Sequence, residues 1–306
     1  MTVLSRRKLL QGAFAAAPLA VARDALASEA PHAEAPPDAV AMLFDATRCI
    51  GCQACVVACA EVNGLTPDTR LSGGIWQMPI DLNSHTKNVI KLYEDGEGGS
   101  SFVKRQCMHC VDPACVAACP FEALTKGPLG VVGWNPSACI GCRYCEVACP
   151  FEVPKFEWDH FNPKIVKCEF CREQRLSKGQ QPACTSVCPT EAVVFGTRAG
   201  LLADAHARLA AKPEAYAEKR IYGETEAGGT QVLYLSHVPF AKLGLPTLAP
   251  DARPGHEMRF QALLYKWLLL PVTLYAMITL VIRRRWRDHD VEVKELETKE
   301  GLKEQL

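Results

Sequence analysis

CIGCRYCEVACP, residues 139–150, sets Cys139, Cys142, Cys145 and Cys149 at C-x2-C-x2-C-x3-C spacing, with Pro150 directly behind the last cysteine. A short loop with two-residue gaps can turn three soft thiolates toward one point while the fourth leaves with the chain, and this spacing is that of a bacterial iron-sulfur ligand loop. Three further groups take up all the other cysteines: Cys49, Cys52, Cys55, Cys59; Cys107, Cys110, Cys115, Cys119; and Cys168, Cys171, Cys184, Cys188. The total of 16 is four sets of four, which leaves no thiol for other work. Disulfides would need strained bridges between near neighbours, and zinc sites use two distant C-x2-C pairs, so [4Fe-4S] clusters fit the spacing better than either.

The groups are internal repeats of two kinds. The first and third each follow a short apolar run (Ala41 to Phe44; Val131, Val132, Trp134) and begin C-I-G-C. The second and fourth open with C-x2-C and reach their third cysteine through Pro-Ala-Cys, at Pro113-Ala114-Cys115 and Pro182-Ala183-Cys184. Both close with Cys-Pro-x-Glu-Ala, and only the gap before the third cysteine differs, 4 residues against 12. The chain therefore holds two copies of each half of a two-cluster ferredoxin, an α+β fold with four cubane sites. Ala60 stands where the other three groups have Pro.

In two-cluster ferredoxins the fourth cysteine of each run crosses to the other cluster. The groups allow a tandem or a nested pairing. Only 19 residues separate Cys119 from Cys139, against 47 between Cys59 and Cys107, which favours second with third and, by elimination, first with fourth. The expected sites are Cys107, Cys110, Cys115 with Cys149; Cys139, Cys142, Cys145 with Cys119; Cys49, Cys52, Cys55 with Cys188; and Cys168, Cys171, Cys184 with Cys59. One ferredoxin-like unit is then residues 41–60 plus 165–197, and the other, nested within it, 103–155, inside a domain spanning 41–258.

At 306 residues with 48% hydrophobic residues the chain can bury a sizeable core, and its formal charge of zero gives no basic stripe for nucleic acid. Its ends are distinctive. Residues 1–27 carry Arg6 and Arg7, an alanine-rich apolar stretch and Ala25-Leu26-Ala27 as a cleavage candidate, a twin-arginine export signal followed by a linker over 28–40. Clusters assembled in a reducing cytoplasm require a pathway that exports folded protein, and the twin-arginine translocase is one. Residues 262–282, ALLYKWLLLPVTLYAMITLVI, run 21 residues with a single charge, Lys266, and span about 31 Å as a helix, enough to cross a bilayer. Arg283, Arg284, Arg285 and Arg287 follow, so the positive-inside rule makes 283–306 a cytoplasmic tail and leaves the cluster domain on the periplasmic side.

Between Ala60 and Val103 a long insertion holds Trp76, Ile80, Val89, Ile90 and Leu92 as strand positions and is expected to cover a cluster or a partner face. Arg198 to Leu209 has a helical apolar pattern and Gln231 to Leu235 reads as a strand. His109, Arg143, Trp158 and Lys167 lie near cysteines and are candidates for tuning cluster potentials.

The quoted groups, followed by GGTQVLYLSHVPFAKLGLP, resemble the four-cluster ferredoxin subunits of periplasmic respiratory oxidoreductases, and the export signal with one C-terminal anchor is most like the hydrogenase-2 type. The resemblance implies the nested pairing above. It also implies that the chain is not itself an enzyme but carries electrons between [NiFe] hydrogenase small and large subunits and a quinone-reactive integral membrane subunit. Related subunits of formate dehydrogenase and molybdenum-dependent reductases share the motifs and are the alternative setting.

Overall fold

The computed structural model describes residues 34–66, 79, 81–96, 99–158, 163–250 and 271–287. Trp76 and Ile80, the export signal and the tail beyond 287 lie outside the described residues. Contacts divide the chain into one compact unit, Glu29–Glu257, and a second that includes residues 271–287.

The sheet of the main unit is built around β1 (Val40–Asp45), which lies between β8 (Val193–Thr197), antiparallel, and β9 (Val232–Leu235), parallel. A central strand covered on both faces reads as a nearly unbroken apolar run, and VAMLFD does so. The two-residue period then sorts its side chains. Ala41 and Leu43, with Leu233 and Leu235 of β9, face Leu201 and Ala205 of helix α5 (Arg198–Ala211). Met42 and Phe44, with Val232 and Tyr234, face the core that contains Cys55, Cys168 and Cys184. The Thr197 hydroxyl accepts from the Gly200 N–H and caps α5.

Elements from the first and fourth cysteine groups thus share one sheet, and their helices α1 (Ala54–Asn63) and α4 (Ala183–Ser186) pack together. The second and third groups are joined by the hairpin β4 (Leu124–Lys126) and β5 (Val132–Trp134), with α2 (Ala114–Ala117) packed on α3 (Tyr144–Ala148). A short pair, β6 (Lys155–Phe156) and β7 (Ile165–Val166), leads from the third group to the fourth. The insertion forms the hairpin β2 (Asn88–Glu94) and β3 (Ser100–Gln106), in which Val89, Ile90 and Leu92 are strand residues as expected.

Helix lengths follow the residue after each fourth cysteine. Pro120, Pro150 and Pro189 cannot continue a helix, and α2, α3 and α4 all stop before it. Just beyond these prolines, Glu122, Glu152 and Glu191 adopt positive φ (52°, 54° and 51°) and turn the chain away. Ala60 imposes no such stop, so α1 runs on to Asn63 and ends at Gly64, whose φ of 61° suits a glycine C-cap.

Residues 271–287 are helical and exposed. Residues 262–270 of the expected span lie outside the described residues, and among the described residues no helix is long and apolar enough to cross a membrane.

Candidate metal centres

Each cysteine loop bends through left-handed backbone. In the two C-I-G-C loops Gly51 (φ 67°) and Gln53 (φ 58°) match Gly141 (φ 69°) and Arg143 (φ 62°). Gly51 is needed on a second count, because a Cβ there would come within 2.3 Å of the Phe102 ring. In the other two groups His109 (φ 47°), Phe170 (φ 53°) and Cys171 (φ 52°) make the corresponding bends. Such alternation aims backbone N–H groups inward, which favours anionic ligands.

The bends gather sulfurs from different groups. Cys119, Cys139, Cys142 and Cys145 line one cavity, walled by Phe121, Leu124, Ile140 and Phe156. A second is lined by Cys49, Cys52, Cys55 and Cys188, walled by Phe44, Ile50 and Ile90. The remaining eight cysteines group by their mutual electrostatics. Burial foremost, then Cys149, Cys115 and Cys107, drives the Cys110 thiol well up. Burial, then Cys184 and Cys59, does the same to Cys168, and Cys171 and Cys184 both act on Cys59. Cys52 and Cys142 are exposed, one at each outer cavity, whereas Cys107, Cys115, Cys168, Cys171 and Cys184 are buried.

All sixteen cysteines are free of disulfides. Burial also pushes the thiols of Cys55 and Cys145 up to about 12 and those of Cys59 and Cys149 up to about 11. Thiolates in such surroundings form when soft metal displaces the proton. Among the described residues no three His, Cys, Asp or Glu side chains are arranged to hold a single metal ion. A zinc site built from four cysteines packs its sulfurs around one tetrahedral atom, whereas a cubane spreads its ligands over four irons.

Donors are positioned on the sulfurs. Ala123 N–H lies 3.3 Å from Cys119 Sγ, Phe170 N–H 3.5 Å from Cys168 Sγ, and the Thr190 hydroxyl 3.8 Å from Cys188 Sγ. Asn63, brought back over Cys59 by the extra turn of α1, donates to the Cys59 carbonyl at 2.8 Å and to Cys59 Sγ at 3.6 Å, with Cys171 Sγ at 4.0 Å. Lys87 fixes its amide orientation by donating to Oδ1 at 2.9 Å.

Of the four candidate tuning residues, His109 and Lys167 are buried. His109 Nδ1 accepts from the Val132 N–H at 3.0 Å, and burial, then Lys167 and Lys126, hold its pKa well below the ordinary value. The neutral ring therefore carries its proton on Nε2. Nε2 is turned toward the Cys168 backbone without completing a hydrogen bond of good geometry. Its ring stacks on Phe170 at 3.9 Å, bridging the second and fourth groups. Lys167 donates to the carbonyls of Val132 and Cys168 and acts on Cys115. Arg143 lines the Cys139 cavity and lays its guanidinium over the exposed Trp158 ring at 3.9 Å.

Two residues that sequence reading passed over belong to the sites: Asn63, and Lys104 on β3. Lys104 is 1% exposed and acts electrostatically on Cys49, Cys55, Cys59, Cys168 and Cys184.

Residues 99–198 and 48–123 match two families, each described as a 4Fe-4S dicluster domain. The hydrogenase-2 operon protein HybA of Escherichia coli O157:H7 is 38% identical, over 94% of this chain and 97% of the relative. The iron-sulfur subunit of the nitrate-inducible formate dehydrogenase of Escherichia coli K12 is 37% identical over 65% of this chain and 68% of its own. That of Haemophilus influenzae formate dehydrogenase is 33% identical over 78% and 76%. On its sixteen cysteines, these dicluster matches and similarity to HybA over almost the whole length, the chain belongs to the four-cluster [4Fe-4S] ferredoxin-type subunits that serve respiratory oxidoreductases.

Proposed function

We propose that this electron-transfer subunit is a four-cluster wire between a periplasmic [NiFe] hydrogenase, small and large subunits, and a quinone-reactive membrane subunit. The ligand sets are Cys139, Cys142, Cys145 with Cys119; Cys107, Cys110, Cys115 with Cys149; Cys168, Cys171, Cys184 with Cys59; and Cys49, Cys52, Cys55 with Cys188. The observation that carries this reading is the gathering of cysteines from different groups, with one exposed cysteine at each outer cavity.

When bound, the clusters supply one-electron chemistry at potentials set by charge, hydrogen bonding and solvent exposure. The polypeptide fixes their order. Cys115 and Cys145 interact across the second and third groups, the His109–Phe170 stack joins the second to the fourth, and Cys55 and Cys184 interact across the first and fourth. The Cys139 and Cys49 sets are therefore the two ends, each with one exposed cysteine, Cys142 and Cys52, and the two sets between them have none. Around the ends, exposed Ile140, Val147 and Phe121, and Ile50 and Val57, provide apolar surface for partner subunits.

Coverage favours the hydrogenase setting over the formate dehydrogenase one, since similarity to HybA extends over 94% of the chain against 65% for the nitrate-inducible formate dehydrogenase subunit. The expected anchor at 262–282, with its arginine flank, and the expected twin-arginine signal are the sequence features that support placement at the periplasmic face. Detergent-solubilised membranes should yield a brown complex containing hydrogenase large and small subunits, with iron and labile sulfide for four cubanes on this chain. Recovery with formate dehydrogenase subunits instead would move the chain to the second setting; a colourless, zinc-bearing chain would overturn the wire.

A further inference from the structure

Lys104 sits on β3 with its side chain sealed from solvent. Among the described residues no carboxylate lies within ion-pair distance of its ammonium. Its hydrogen-bond partner is Gln106 Oε1, a neutral acceptor held in turn by its amide to Met42 Sδ at 3.3 Å. Tyr234 donates to the Lys104 carbonyl at 2.7 Å, so the strand carrying it is pinned to β9. A buried ammonium without a counter-charge is among the most costly features a core can carry, so a negative group must face it.

Gln106, which holds it, contacts Met42 in the buried cluster that also contains Cys55, Cys168 and Cys184, and the thiols that feel the ammonium belong to two ligand sets, Cys49 and Cys55 of one and Cys59, Cys168 and Cys184 of the other. The cross-strand neighbour of Lys104, Ile90, lines the cavity formed by Cys49, Cys52, Cys55 and Cys188. Lys104 comes from the chain leading into the second group, yet it serves the first and fourth. Lys167, also buried, acts on Cys115 of the Cys107 set.

We propose that Lys104 is a counter-charge shared by the clusters of the Cys49 and Cys168 sets and raises both reduction potentials together. This deepens, and rests on, the four-cluster assignment. A thiolate-ligated cubane is anionic and gains a further negative charge on reduction, so a fixed cation stabilises the reduced form more than the oxidised. Lys104 is thus a positioning residue that acts through electrostatics and touches no substrate.

The test is an EPR-monitored redox titration of the full chain in detergent-solubilised membranes, with iron and sulfide measured in parallel. In Lys104→Met, two of the four cluster components should shift so that their reduced-to-oxidised ratio at a fixed poise falls about tenfold, a drop of about 59 mV for a one-electron couple. The other two should stay near wild type, and Lys104→Arg should restore the shifted pair. If Lys104→Met fails to hold clusters, Gln106→Glu places a carboxylate against the ammonium with little change of shape, and it should lower the same two potentials. Four clusters at full occupancy with unmoved potentials in Lys104→Met, or an unmoved pair in Gln106→Glu, overturns the proposal, as does an equal shift in Lys104→Arg. A wild-type chain without four clusters would overturn the underlying assignment instead.

Discussion

Replacing Ala60 by Pro would make the first cysteine group read like the other three, yet it should loosen the cluster held by Cys168, Cys171, Cys184 and Cys59. Residue 60 lies seventh in the ten-residue α1, so a proline there removes a helical N–H and meets the carbonyl of Val56, at a cost of about 3 kcal/mol. Ending the helix at Cys59 would relieve the clash but would release Asn63, which donates to the Cys59 carbonyl and sulfur and receives Lys87. Either way the last turn opens more readily. If cluster loss proceeds through that opening, about 3 kcal/mol corresponds to a roughly 100-fold faster loss. The measurement is bleaching of the visible iron-sulfur absorbance under a chelator. Ala60→Pro should add a fast phase worth about one quarter of the amplitude, for one cluster of the four. Asn63→Ala, which keeps the helix, should speed the same phase roughly tenfold, the effect of losing bonds worth about 1.5 kcal/mol. Bleaching of Ala60→Pro at the wild-type rate, or uniform loss of all clusters, would refute this account of why the first group lacks its proline.

Asp45 is fully buried at the end of β1 and accepts from Arg208 at 3.1 Å, Tyr216 at 3.2 Å and the Thr47 hydroxyl at 2.6 Å. Asp45→Ala should cost about 3 kcal/mol, the low end for breaking a buried pair because Arg208 keeps Asp204. At about 2–4 °C per kcal/mol that is a drop of roughly 6–12 °C in the thermal midpoint followed by circular dichroism, and a change under about 2 °C would remove Asp45 from the fold's main supports. Arg6→Lys with Arg7→Lys should leave the protein in the cytoplasm with its clusters assembled, checked by fractionation and iron content. Truncation after Arg259 should release a folded, cluster-bearing protein into the periplasm; retention in salt-washed membranes without partners would count against the anchor at 262–282.

What was legible in the sequence was what ligand chemistry forces to be local. Three thiolates drawn to one point within a loop require short gaps, so the residues gathered at each cavity stand in sequence at C-x2-C spacing, and the 19-residue link between Cys119 and Cys139 is the β4–β5 hairpin. The nested pairing is expected from loop length for the same reason, since a short connection favours neighbours. The residues that were not legible act at a distance along the chain. Ala60 stood out as a departure, but its consequence, a longer α1 that returns Asn63 to Cys59, depends on a helix boundary rather than a motif. Lys104 gave no signal at all: a lysine three residues before Cys107 looks like solvent-facing polarity, and the cysteines it faces belong to the first and fourth groups. Only the β2–β3 pairing, which sets Lys104 opposite Ile90 at the rim of the Cys49 cavity, and the tie from Tyr234 bring it there. Arg143, a candidate on spacing alone, does line the Cys139 cavity, while exposed Trp158 reaches it only through the Arg143 guanidinium. In this fold the ligands are written in short spacing, while the charge and hydrogen bonds around them come from strands whose neighbours are chosen by tertiary pairing.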